Sequence, residues 1–479
     1  MNALRRLIPP QLLAIAIVLA VLPATLGVLG LTTTSATEVV VYAIACMALN
    51  ILVGHTGLVS FGHGAWFGLA AYIAALLQLR MAPGSFVLPV LTGLVSTFVL
   101  SALLGALILR RRGVYFSLLT LAFAAMVYTV AFRWTEVTGG ENGIGGITRP
   151  SLGGASLDAN GAYYAFVAVI AFVIAVGLWR FHRSPLGSVL VAIRENEQRA
   201  RFLGYPNNRY KLVAFSLSAT LTGLAGILLL YKNRMTSADP ISVPFPGDLL
   251  PMVAPGGMRS FVGPAIGALF FILFREFLSI YTENWQIWFG LLFVGFIVFS
   301  PNGLVGVIGE ALAPWRRKTI EAAAMAGRRT EDMALPAFLL PSAASTGPVL
   351  AAQGIVKSFG GLRAVQEVDM TVADRTLHAL IGPNGAGKTT AFNLLSGLYA
   401  PDKGQVALLG QSIAGLSPEA IAQAGIGRSF QITNLFPALD VEENIRLAVQ
   451  ARDPARFNPW RSAHDIPQVN ERTREMLRY

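Results

Sequence analysis

Nine runs of predominantly apolar residues, at 12–31, 39–53, 65–79, 86–109, 114–132, 162–179, 212–231, 261–281 and 285–300, fill most of this 479-residue chain up to position 300. A helix needs about 20 such residues to cross the roughly 30 Å hydrocarbon core of a bilayer. Lipid offers the backbone no hydrogen bonds, so only helices and closed barrels can span it. Unbroken apolar runs, as opposed to alternation, select helices. The composition agrees, because 54% of residues are hydrophobic and only 13% charged. Soluble chains carry roughly 25% charged residues. The lipid bilayer is therefore the partner of most of this polypeptide.

The formal net charge of +11 invites a nucleic-acid reading, which the positions of the charges exclude. Basic residues sit between the apolar runs: Arg5 and Arg6, Arg110, Arg111 and Arg112, several in 180–211, then Arg316, Arg317 and Lys318, and Arg328 with Arg329. Basic loops between spans are the mark of cytoplasmic connections. The basic start followed by 12–31 resembles a secretion signal, but the run is long for a cleavable core and is read as a retained first helix. The lone Cys46 lies inside a run, reads as a small buried hydrophobe and allows no intrachain disulfide.

If every basic loop is cytoplasmic, an even number of crossings must separate them. Between Lys211 and Arg316 only three runs are evident, so 249–257 (LLPMVAPGG) is expected to supply a fourth crossing. With Pro251, Pro255, Gly256 and Gly257 it reads as a broken helix or re-entrant loop, tolerated at membrane depth only inside protein or beside water. The expectation is about ten crossings, both termini cytoplasmic, and a Gly-rich external loop at 133–160. The second and third runs, about 15 residues each and separated by the Gly-rich 54–64, read as short or broken. The domains are then 1–313 in the membrane, a linker at 314–348 and a soluble domain at 349–479.

The soluble domain carries the most specific local signal. Residues 378–381 read as a buried strand, followed by Gly382-Pro383-Asn384-Gly385-Ala386-Gly387-Lys388-Thr389-Thr390, a full match to G-x-x-x-x-G-K-[ST]. In such a loop the glycines let successive N–H groups face a phosphate, the lysine reaches the outer phosphates, and the Thr389 hydroxyl can ligate Mg²⁺. A helix starting near Lys388 adds the positive end of its dipole. ATP and Mg²⁺ are the expected ligands.

The neighbouring residues resemble an ATP-binding cassette. Phe359, in Lys357-Ser358-Phe359-Gly360-Gly361, matches the aromatic that stacks on adenine in that family. Gln431, in Gly427-Arg428-Ser429-Phe430-Gln431, matches the glutamine that ligates Mg²⁺ and senses the permease. The resemblance also implies a signature sequence, an apolar strand ending in Asp-Glu and a switch histidine. None of these occurs in 432–479, and His464 lacks the matching context. The fold expected is an α-helical polytopic domain with broken or re-entrant segments, followed by a partial α/β P-loop cassette. The residues given should bind ATP but not hydrolyse it alone, either as part of a longer reading frame or as a natural half-cassette.

The membrane part, over roughly 36–308, resembles the permease subunits of branched-chain amino-acid importers, a class shared with urea and amide importers. Its sharpest stretch is 49–64, with Asn50, Gly54, His55, Gly57, Ser60, Gly62 and His63. Small residues there permit close helix approach or a helix break. Packing alone and lining of the substrate pathway both remain open, and the two histidines read as packed polar groups and not metal ligands. A second stretch, with Ser184, Pro185, Gly187, Arg194, Glu195, Asn196, Glu197 and Gly204, is similar to the cytoplasmic loop whose short helix transmits ATPase motion. Pro185 and Gly187 would start that helix, and its charges would give a wet face. A third, from Gly256 to Gly267, resembles a late Gly-rich re-entrant region, with Pro255 where relatives carry an aliphatic residue. Arg275 and Glu276 read as an interior polar pair or interhelical contacts.

The resemblance implies a multi-pass protein of the bacterial inner membrane. It works with a second permease subunit, a second ATP-binding subunit and an extracytoplasmic substrate-binding protein. Branched-chain amino acids are the expected cargo. Urea, amides or aromatic acids are alternatives, as is a non-hydrolysing nucleotide-sensing membrane protein.

Overall fold

The computed structural model describes residues 9–149, 151–152, 155–242, 244–300, 303–307, 310, 336–339, 347–429 and 435–478. Contacts divide the chain into two compact units, Met1–Arg183 with Asn208–Gly327, and Ser184–Asn207 with Arg328–Tyr479. The second unit thus includes 24 residues that lie, in sequence, between two apolar helices.

The first unit is helical. Its elements are α1 (Pro10–Val28), α2 (Thr33–Thr56), α3 (His63–Arg80), α4 (Val87–Ile108), α5 (Val114–Arg133) and α6 (Asn160–Arg183). After two helices of the other unit come α9 (Asn207–Asn233), α10 (Pro244–Gly256), α11 (Gly263–Tyr281) and α12 (Trp285–Phe299). Among the described residues seven of these, α1, α2, α4, α5, α6, α9 and α11, are long and apolar enough to cross a membrane. The helix α3 has 18 residues, α12 has 15 and α10 has 13.

The second apolar run is not short or broken, being the middle of a continuous helix of 24 residues, whereas the third is unbroken but fills α3, which has only 18 residues. Counting apolar residues missed the polar ends of α2, where hydroxyls satisfy themselves on carbonyls one turn earlier and so sit inside the helix without an unpaired donor. Thr37 Oγ1 donates to Thr33 O at 3.0 Å and Thr56 Oγ1 to Leu52 O at 2.7 Å. The break falls between them, where Gly57 caps α2 in the left-handed region at φ 71°. The window of α2 is 83% buried and that of α1 17%, so α2 is the centre of the unit and α1 its rim.

At about 1.5 Å per residue α10 is roughly 20 Å long, short of a full crossing. It runs unbroken through Pro251 and Pro255 to Gly256. A side chain at Gly256 would strike the backbone of Gly263, and one at Gly267 the backbone of Met252. Glycine is needed there for α10 and α11 to touch backbone to backbone. From the 133–160 loop, Arg149 donates to Tyr231 O and Lys232 O, each at 3.0 Å, closing the end of α9.

The second unit contains β3 (Pro348–Phe359), β4 (Leu362–Ala373), β5 (Lys403–Leu408) and β6 (Gln411–Ser412), in the antiparallel order β4-β3-β5-β6. The small strands β1 (Ser151–Leu152) and β2 (Ala155–Ser156) belong to the first unit's loop. On this sheet lies α13 (Lys388–Leu395), with a core of Ile355, Val365, Leu394, Val406 and Ile421. The remaining helices are α7 (Pro185–Glu195), α8 (Glu197–Phe202), α14 (Pro418–Ala424), α15 (Val441–Gln450) and α16 (Pro467–Arg478).

The expected buried strand at 378–381 is not one. Those residues have no strand assignment, and Ile381 is 88% exposed. Among the described residues no strand lies alongside them, and a buried backbone without a ladder would forfeit its hydrogen bonds. The linker reading at 314–335 lies outside the described residues.

Candidate functional site

The phosphate loop is shaped by glycine. Gly385 and Gly387 take φ of 85° and 83°, and a side chain at Gly387 would collide with Ala364 O. The loop from Gly382 to Ala386 is exposed, and α13 starts at Lys388 with Gly387 as its cap. Its first N–H groups have no acceptor within the helix, the arrangement that receives an anion. Lys388 Nζ folds over the loop and donates to Gly382 O at 2.5 Å and Pro383 O at 2.7 Å. A cationic donor held by carbonyls above a concave, N–H-lined loop fits a phosphate chain. Thr389 and Thr390 occupy the first turn of α13, with Thr389 exposed.

Phe359 ends β3, 42% exposed, its ring 5.2 Å from that of Tyr399. Asp402, which the sequence did not single out, fixes this strand end. It accepts from Lys357 Nζ at 2.7 Å and from Ser358 N at 2.8 Å. The hydrogen bond from Lys357 comes first among the causes that hold the Asp402 carboxyl below its usual range.

Gln431, expected with Thr389 as a Mg²⁺ ligand, lies outside the described residues, whereas Asn384 sits in the exposed loop. Arg428, three positions earlier, is described. Its Nη1 donates to Asn393 Oδ1 at 2.8 Å and Ser396 Oγ at 2.7 Å, at the far end of α13, and its guanidinium stands 5.4 Å from the Phe202 ring centroid. Burial lowers its pKa.

The expected single short helix at 184–204 is two helices. Ser184 caps α7 by accepting from Gly187 N at 3.1 Å, with Pro185 at the first helical position. Asn196 ends α7 and caps α8, accepting from Arg199 N at 2.9 Å. The wet charged face is absent: Arg194 and Glu195 pair with each other at 2.8 Å and are mostly covered. Glu197 O accepts from Asn207 Nδ2 at 2.7 Å. Val189 and Leu190 are fully buried.

Both helices lie against the cassette segment. From α15, Arg446 donates to Ser188 Oγ at 3.1 Å and Gln450 to Pro185 O at 3.2 Å. Tyr205 Oη donates to Leu447 O at 2.6 Å, and Arg201 pairs with Glu419 of α14 at 2.8 Å. Gln423 donates to Gly204 O at 3.1 Å. Gly204 has φ 101° and no room for a side chain beside Gln423, so glycine is required.

In the membrane unit, Ser218 Oγ donates to Ala48 O at 2.5 Å, so it accepts from His63 Nε2 at 2.8 Å. Nδ1 of His63 lies 3.1 Å from Ser60 Oγ, within hydrogen-bond distance. Gly62 packs on the Thr120 backbone and Gly54 on Met258 O. His55 Nε2 shares a 2.7 Å hydrogen bond with His182 Nδ1. Asn50 Oδ1 is buried with no hydrogen-bond partner among the described residues. Arg275 does pair with Glu276, at 3.3 Å, but its shorter bond is to Glu38 at 2.6 Å, and Glu38 also pairs with Lys232. Glu38 and Lys232 escaped sequence reading because both lie just outside apolar runs.

Two family profiles match the chain. The one described as branched-chain amino acid transport system / permease component covers 31–301, and the ABC transporter profile covers 365–478. The high-affinity branched-chain amino acid transport system permease protein LivM of Salmonella typhimurium is 31% identical over 56% of this chain and 69% of the relative. LivM of Escherichia coli gives the same figures. The corresponding transport ATP-binding protein LivG of Salmonella typhimurium is 45% identical over 21% of this chain, which spans 40% of that relative's length.

Proposed function

Because the chain belongs to the branched-chain amino acid transport permease family, with an ABC-transporter segment joined behind the permease, we propose that it imports branched-chain amino acids at the expense of ATP. It is a multi-pass membrane protein. The observation that carries the proposal is the seating of 184–207 in the same compact unit as the phosphate loop. A permease loop bonded to α14 and α15 is where nucleotide state can reach the membrane part.

In this reading Gly382, Pro383, Asn384, Gly385, Ala386, Gly387, Lys388, Thr389 and Thr390 cradle the phosphates, and Phe359 stacks on adenine. Thr389 and Gln431 would hold Mg²⁺, which would neutralise phosphate charge. Ser184, Pro185, Gly187, Asn196 and Gly204 shape the coupling pair through caps, a helix start and a tight turn. His63 and Ser60 hold the α2–α3 connection through their hydrogen bonds, and Asn50 brings a buried oxygen without a partner among the described residues to the same stretch of sequence. The chain works with a second permease subunit, a second ATP-binding subunit and an extracytoplasmic binding protein. Basic loops on one side of the membrane place 184–207 and both termini in the cytoplasm and 133–160 outside, which requires the short α10, packed on α11, to complete a tenth crossing together with the chain that follows it.

The test is uptake by proteoliposomes holding the chain with those partners. Labelled leucine should accumulate only with internal ATP and Mg²⁺. Accumulation of urea or phenylalanine in preference to leucine would replace the cargo, and uptake indifferent to ATP would sink the proposal. Cysteine labelling of 194–201 in a Cys46→Ser background checks orientation. Labelling from outside intact cells would overturn it.

A further inference from the structure

The loop 382–390 and the helix α8 are joined by described side chains through a route that does not include Gln431. The helix α13 begins at Lys388 and ends at Leu395, a rod of roughly 12 Å. Asn393 on it and Ser396 just beyond it are buried, at 8% and 5% exposure, and face the same side. Arg428 grips both through one nitrogen, at 2.8 and 2.7 Å. Its guanidinium carbon also stands 5.4 Å from the ring centroid of Phe202, the last residue of α8, within the roughly 6 Å over which a cation is drawn to a ring.

We propose that Arg428 is a positioning residue that carries nucleotide-driven movement of α13 to Phe202, and so to the coupling pair. This rests on the phosphate-loop reading of 382–390. Lys388 at the start of α13 is bound to the carbonyls of Gly382 and Pro383. A phosphate competes with those carbonyls for the ammonium group, and the displaced Lys388 reorients the helix it begins. A guanidinium is suited to the task, since it presents donors in one plane and a stacking surface on either side. Phe202 is 7% exposed, so it cannot yield to Arg428 without shifting α8.

The test is amide hydrogen exchange of the full chain, with and without ATP, read on peptides covering 197–207. Wild type should show ATP-dependent protection there. Arg428→Ala should bind ATP yet lose that ATP-dependent difference, and Phe202→Leu, which keeps apolar bulk without a ring, should do the same. Phe202→Tyr should restore it, because a ring face remains. A purely structural role would shift exchange equally with and without ATP and leave the difference intact, which would overturn the proposal. So would an unchanged ATP response in both variants. Failure of wild type to bind ATP would instead refute the phosphate-loop reading, a result distinguishable by nucleotide titration of the same samples.

Discussion

The phosphate loop and the α7–α8 pair lie in one unit but follow opposite rules of construction. The loop is exposed and nearly self-contained: Lys388 bonds to carbonyls five and six positions back. The helix pair is buried and depends on distant chain. Ser188 meets Arg446, Tyr205 meets Leu447, and Arg201 meets Glu419, each more than 200 positions away. A site that must admit a ligand keeps its polar groups facing water until the ligand arrives. A joint that must transmit force has most of its polar groups paired in advance, because an unpaired buried one costs about 1–3 kcal/mol; Asn207 Oδ1 is a buried exception among the described residues.

The sharpest way to break this comparison is to damage each region alone. Lys388→Ala removes a charge-assisted donor worth about 1.5–3 kcal/mol, so ATP affinity should fall about ten- to hundredfold. Exchange protection of 184–207 in the absence of ATP should stay as in wild type. Glu195→Pro should do the reverse, since a proline inside a helix costs about 3 kcal/mol. ATP binding should persist while leucine uptake by the assembled transporter is lost. Loss of ATP binding in Glu195→Pro would show that the two regions are not separate.

Phe359→Ala comes next. If the exposed ring stacks on adenine, affinity should drop by about 1–3 kcal/mol. A triphosphate without a purine base should bind wild type and variant equally, and an equal loss for both would show that Phe359 holds only the end of β3.

These differences also explain what could be read from the sequence. The loop was legible because its chemistry is local, nine successive residues whose spacing leaves few alternatives. The membrane helices were legible as runs, although the ends of α2 were hidden by Thr and Glu residues that apolarity cannot count. The single expected coupling helix became two because Asn196 is a better cap than helix interior, a signal present in the sequence but outweighed by the resemblance. Arg428 was quoted only as a neighbour of Gln431. Its partners Asn393 and Phe202 come from other elements, and no spacing rule links them. Asp402 was missed for the same reason, and Glu38 because it lies just outside an apolar run. The strand expected at 378–381 shows the converse, because an apolar run becomes a strand only when neighbours complete its ladder.

The smallest effect gives the most specific test of the joint. Arg201 and Glu419 pair at 2.8 Å with side chains 31% and 23% exposed, the setting in which an ion pair contributes about 0.2–1 kcal/mol. Arg201→Glu should therefore weaken coupling modestly, lowering leucine uptake per ATP without altering ATP affinity. Glu419→Arg should do likewise. The double exchange restores opposite charges across the joint and should recover most of the loss, which neither repulsion alone nor general destabilisation would do. The recovery should shrink at high salt, because a pair this exposed is screened. Additive losses in the double variant would mean that α8 and α14 do not meet during transport. The joint would then rest on Tyr205, Arg446 and Gln450 against α7 and α15 alone.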